Sequence, residues 1–137
     1  MTKTIVIALA IGWAVAAASP VLAHHGPSSL GSVRITHAVE VRGATLQPGS
    51  YEIRLTGEHV MPLPGQSANA EQRIEIVADG QVVARDAATV IPVSAAAVVG
   101  TSGDDTFGRM EMLKGGEFLR ASFIRGNERF LIHMAVN

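Results

Sequence analysis

Apolar and polar residues alternate with period two along most of this chain. In Ser32–Arg42, Val33, Ile35, His37, Val39 and Val41 fall on one face, and Arg34, Thr36, Ala38, Glu40 and Arg42 on the other. That alternation predicts a half-buried strand with His37 on its apolar side. Gln47-Pro48-Gly49-Ser50 reads as a turn, because proline presets φ and glycine tolerates a left-handed backbone. Tyr51, Ile53 and Leu55 then alternate with Glu52, Arg54 and Thr56, which predicts a second strand with Tyr51 turned inward. Gly57–Ala70 holds two prolines, two glycines and Asn69 and predicts a loop. Glu71–Ala78 resumes the alternation. Asp79-Gly80 is a strong two-residue hairpin signal, with Gln81–Asp86 as the returning strand.

Ala87–Val99 is a small apolar stretch interrupted by Pro92, read as one or two buried strands or a short helix over Ser94–Val99. Gly100–Thr106 is polar and predicts a loop. Phe107–Leu113, Phe118–Arg125 and Arg129–Val136 predict a three-stranded meander, with turns at Lys114-Gly115-Gly116-Glu117 and Gly126-Asn127. The last strand is apolar on both faces, as a central strand would be. All four phenylalanines lie in this meander, so the densest core is expected there. No window after Ala23 sustains a 3.6-residue period. The fold class expected is all-β: an antiparallel β-sandwich or small barrel of about seven to nine short strands, with turn signals every ~8–12 residues.

The first residues have a different pattern. One positive charge at Lys3 precedes the apolar run Ile5–Ala18, then Ser19-Pro20, then Val21-Leu22-Ala23. This is the plan of a cleavable signal helix with small residues at the cut. The apolar run is shorter than the ~20 residues a membrane span needs. The expected organisation is a signal peptide over 1–23, a flexible mature N-terminus over 24–31 and a single β domain over 32–137. The expected destination is the periplasm or the exterior, with no stable membrane anchor after cleavage.

Composition narrows the chemistry. The chain has 137 residues, 17% of them charged, and a net charge of −1. That balance lacks the basic stripe of a nucleic-acid surface. There is no cysteine, hence no disulfide framework, thiolate metal site or cysteine nucleophile.

Val41–Ile53 resembles a phrase found in short exported bacterial β-sandwich proteins, roughly G-x-x-L-(P)-x-G-x-Y plus a strand, with a later G-x-x-V-A hairpin. Gly43, Leu46, Pro48, Gly49 and Tyr51 fit the first part, and Gly80, Val83 and Ala84 the second. The proline is displaced by one position. The resemblance spans Arg34–Arg85 and implies the fold, with no chemistry attached.

The sharpest candidate chemistry is the terminus that cleavage after Ala23 would create. The free amine and imidazole of His24 would together chelate copper, with a third nitrogen from His25, His37, His59 or His133. The arrangement is similar to the histidine brace of copper oxygenases and of some periplasmic copper carriers. Met110, Met112 and Met61 could serve Cu(I), although core packing is the ordinary role of such methionines. Hydrolytic motifs are missing: Gly100-Thr101-Ser102-Gly103 has the wrong spacing for a nucleophile elbow, and Glu58-His59 stands alone. Asp104-Asp105 lacks the pattern of a calcium loop. The expected function is a non-catalytic binding or structural role toward a protein or small ligand, presented by the Gly57–Ala70 and Gly100–Thr106 loops. The alternative is copper binding or handling through His24 and internal histidines, and a copper-dependent oxidase is the weakest reading.

Overall fold

A computed structural model describes residues 26–93 and 108–137. Among these residues the chain forms nine strands and no helix: β1 (Ser28–Ile35), β2 (Val39–Val41), β3 (Ala44–Leu46), β4 (Gly49–His59), β5 (Glu71–Ala78), β6 (Gln81–Pro92), β7 (Arg109–Met112), β8 (Phe118–Arg125) and β9 (Glu128–Val136). All the pairings are antiparallel, and the sheet is not a closed barrel. One path runs β1-β4-β5-β6-β9-β2-β3, and β8 joins β9 to β7.

β9 is the central strand that its two-sided apolar pattern predicts. β8 fills one of its edges along Glu128–Ala135. The other edge is shared by the end of β6, opposite Glu128–Leu131, and by β2, opposite Ala135 and Val136. β6 is one strand where the sequence suggests two pieces. Its first part pairs with β5 and its last part with β9, and Thr89 takes part in both pairings. Pro92, which has no N–H to give to a ladder, stands at its end.

The strand expected over Ser32–Arg42 is interrupted. β1 starts at Ser28, with Leu30 already buried, so the ordered sheet begins within the stretch expected to be flexible. β1 pairs with β4, and the chain then crosses at Thr36–Ala38 to enter β2, which pairs with β3 and β9. Val33, Ile35, Val39 and Val41 remain buried, because the alternation stays in phase across the crossing. His37 lies on the crossing itself and is exposed, contrary to its expected place on the apolar face. The amide of Asn137 fastens the crossing by donating to the carbonyl of Ala38 at 3.0 Å.

Two tight turns have positive φ at both central positions. Asp79-Gly80, at 50° and 78°, is the expected hairpin between β5 and β6. Arg42-Gly43, at 47° and 82°, joins β2 to β3. The second escapes notice in the sequence because arginine seldom takes a left-handed backbone, whereas asparagine, aspartate and glycine do so readily. Gly126-Asn127 and Lys114–Glu117 turn the β8–β9 and β7–β8 hairpins as expected.

The core draws on the whole sheet. Ile35, Ile53, Ile74, Ile76, Phe123, Phe130, Ile132 and Met134 are its largest fully covered side chains, and no polar residue among the described ones is buried. It is therefore not concentrated in the C-terminal meander. Phe123 and Phe130 face inward as cross-strand neighbours, but Phe118 is 44% exposed. Period two explains this: Leu119, Ala121 and Phe123 point inward, so Phe118 points out. Phe107 and the expected loop at Gly100–Thr106 lie outside the described residues, as does the stretch Ser94–Val99.

The sheet bends over this core until β1 lies against β7 and β8. The amide of Gly108 donates to Ser32 O at 2.7 Å, and Arg125 donates to the carbonyl of Ser29. A Cβ on Gly108 would stand 2.5 Å from Phe123 Cζ and 2.7 Å from Val33 Cγ1, so the close approach of this segment requires glycine.

Candidate binding surfaces

The histidines expected to share a metal are scattered over the fold. His37 sits on the β1–β2 crossing, its Nδ1 2.9 Å from Thr36 Oγ1. His59 ends β4 opposite Gln72, and His133 lies mid-β9 opposite Arg120. All three are exposed, and the described residues contain no group of three or more His, Asp or Glu placed to hold a metal. His24 and His25 lie outside the described residues. Met110 packs against the core, as a gap-filling methionine does, while Met112 and Met61 are exposed.

Three features of the surface remain. The first is a cleft of about 680 Å³ lined by β4, β5, β6 and the β2–β3 turn. Its charged residues are Arg42, Arg73, Arg85, Glu58, Glu71, Glu75 and Asp86. Each arginine has an acid: Arg42 Nε meets Asp86 Oδ1 at 2.8 Å, Arg85 Nε meets Glu75 Oε1 at 3.1 Å, and Arg73 Nε lies 3.7 Å from Glu58 Oε2. The hydrogen bond from Arg42 to Asp86 raises the arginine further above its already high pKa. On the adjoining part of the sheet Arg54 Nη2 donates to Glu52 Oε2 at 2.8 Å. That bond, with a contribution from Ser29, holds the Glu52 carboxyl below the usual range.

The second feature is a cavity of about 240 Å³ on the outer face of β6, β7, β8 and β9. Pairing register builds it from three cross-strand rows. Glu111 and Arg120 form one, Arg109, Ser122 and Leu131 the next, and Ile124, Arg129 and Ile91 the third. Arg120 Nη2 donates to Glu111 Oε2 at 2.6 Å. This bond keeps the Glu111 carboxyl below its ordinary range, and the nearby charge of Arg109 adds to the effect. Arg109 and Arg129 have no acid partner among the described residues. The Nε–H of Arg129 is sealed from solvent with no hydrogen-bond acceptor among the described residues. None of these arginines stands out in the sequence. Each occupies an ordinary polar position of an alternating strand, and only the register brings them together.

The third feature is the Val60–Ala70 loop. Its onset is later than expected, because β4 continues through a bulge near Gly57 to His59. The loop is braced at both ends and at its tip. Val60 N donates to Glu71 O at 3.2 Å and Ala70 N to Ser67 O at 3.1 Å. Around the Pro64-Gly65 turn, Gln66 N donates to Leu63 O at 3.0 Å, while Leu63 N donates to Gln66 Oε1 at 3.0 Å. Met61 and Leu63 nevertheless stand 88% and 67% exposed. Tyr51, expected to point inward, packs half-buried on the core and turns its hydroxyl back to Gln47 O at 2.7 Å, closing the turn before β4.

Comparison with protein-family models, curated proteins and solved structures gives no match.

Proposed function

We propose that the protein is an exported, non-catalytic β-sandwich module that grips a partner protein through its Val60–Ala70 loop. Export is supported by the charge, apolar run and small residues of Met1–Ala23. No helix among the described residues is long and apolar enough to cross a membrane. The sandwich reading is supported by the way the sheet folds β1 back against β7 and β8.

The exposure of Met61 and Leu63 on a braced loop carries the contact reading. Leaving a side chain of this size in water forgoes ~1.5–3 kcal/mol of burial. A slack loop would fold such residues down. Here the turn at Pro64-Gly65 and the Gln66 side chain fix the shape of a tip on which Met61 and Leu63 stand exposed, which supports an apolar contact offered to another surface.

The test is a quantitative pull-down from the exported fraction of the source cells. It compares the parent protein with a Met61→Ser/Leu63→Ser double variant whose thermal unfolding is unchanged. A partner retained by the parent and lost by the variant is expected. Identical retained sets from the two proteins would overturn the loop as the contact. An intact mass that still includes Met1–Ala23 after secretion would overturn export by signal cleavage.

A further inference from the structure

We propose that the cavity on the outer face of β6–β9 binds a small carboxylate with a short aliphatic body. The site is separate from the Val60–Ala70 loop and stands whether or not the loop grips a partner.

Charge gives the sign of the ligand. Three arginines line the cavity against one glutamate, and that glutamate is already engaged by Arg120. Among the described residues neither Arg109 nor Arg129 has an acid partner, so both guanidiniums can answer an incoming anion. Guanidinium groups present planar pairs of N–H donors that match a carboxylate's two oxygens.

The rest of the lining gives the body. Ile91 and Ile124 flank Arg129 across the strands, and Leu131 sits in the next row beside Ser122. A bare, strongly hydrated anion would leave this apolar floor unused. A branched aliphatic tail would cover it, while the carboxylate meets Arg109 and Arg129. About 240 Å³ suits a compact ligand of this kind.

The experiment titrates 4-methylpentanoate into the ¹⁵N-labelled protein and monitors amide shifts. Inorganic phosphate and 4-methylpentanamide serve as controls. Saturable shifts centred on β7, β8 and β9 are expected with the carboxylate and not with the amide. Arg129→Gln and Arg109→Gln should each weaken binding by about tenfold or more, since charged hydrogen bonds are lost. Arg73→Gln, in the other cleft, should leave it unchanged.

Two outcomes would overturn the proposal. One is the absence of saturable shifts in the parent protein. The other is phosphate binding as tightly as the carboxylate, which would remove the role of the apolar floor.

Discussion

The two cavities carry three arginines each and differ in what faces those arginines. In the larger cleft four acids are interleaved with Arg42, Arg73 and Arg85, and every guanidinium has a carboxylate partner. In the smaller cavity Glu111 pairs with Arg120, and among the described residues Arg109 and Arg129 have no carboxylate at ion-pair distance. Size would favour the first as a binding site. Chemistry favours the second, because a ligand entering the first must displace a partner from a formed pair, whereas the second has donors still to be satisfied. The first set of charges is paired off within itself, and the second leaves part of its bonding capacity open.

The strongest way to break this contrast is to loosen the strand that carries Arg109 and Glu111. β7 is a four-residue edge strand, and Gly108 holds its start against Val33 and Phe123. Gly108→Ala forces a methyl group into packed side chains rather than open space. Overpacking of this kind costs about 1–3 kcal/mol. Thermal unfolding should show the loss. Hydrogen exchange should show it concentrated in β7 and β8, with β4 and β5 keeping their protection. Uniform loss of protection would mean that the two faces are not separable.

A sharper test removes the unsatisfied donor. Arg129→Met keeps a long apolar stem between Ile124 and Ile91 and deletes the sheltered Nε–H. Stability should rise, by roughly 1 kcal/mol if the orphan donor is the main penalty. Asp86→Ala in the other cleft should do the reverse. It strands Arg42, which sits on a left-handed backbone and points its guanidinium at Asp86, so the melting temperature should fall. Equal falls for both variants would erase the distinction between a completed and an uncompleted set of charges.

Much of the fold was legible because it is local. Alternation marks nearly every strand, and Asp79-Gly80 and Gly126-Asn127 mark two hairpins by their own backbone preferences. The features that were not legible depend on distant partners. Thr36-His37-Ala38 contains no glycine or proline, yet the chain changes neighbours there, because β4 pairs with β1 on its N-terminal side and β9 with β2 on its C-terminal side. β6 stays whole because β5 and β9 take successive parts of it. The arginine cavity is a product of register: Arg109, Arg120 and Arg129 are ordinary polar positions until β7, β8 and β9 are laid side by side. The histidines show the converse. Their number invites a metal site, and the fold spreads His37, His59 and His133 over three separate places.

Acid should separate the faces through their carboxylates. Hydrogen bonds from Arg120 and from Arg54 hold Glu111 and Glu52, respectively, below their ordinary pKa. A carboxyl whose folded-state pKa is depressed contributes stability above its unfolded value and loses it as pH falls through the folded one. Unfolding measured from neutral pH into the acid range should therefore show a decline that is shallower in Glu111→Gln and in Glu52→Gln than in the parent. Water reaches both groups, Glu111 more than the half-buried Glu52, so each effect is small and should shrink in salt. Glu111→Gln also removes the only acid among the described residues lining the cavity and should tighten 4-methylpentanoate binding, whereas Glu52→Gln should not. That difference ties the titration to the cavity rather than to general acid lability.

The smallest expected effect is the most demanding check on the contrast. Arg73 and Glu58 form the loosest pair in the larger cleft, 3.7 Å apart with both side chains mostly in water. An exposed pair of that kind offsets its own ordering entropy and contributes little. Arg73→Gln should change stability by no more than about 0.5 kcal/mol and leave carboxylate binding untouched. A larger loss would mean that the charges of this cleft act as one network, with Arg73 supporting Glu75 and Arg85 across β5 and β6. A loss of anion binding would be more damaging, since it would show that the larger cleft, and not the arginines of the smaller one, holds the anion.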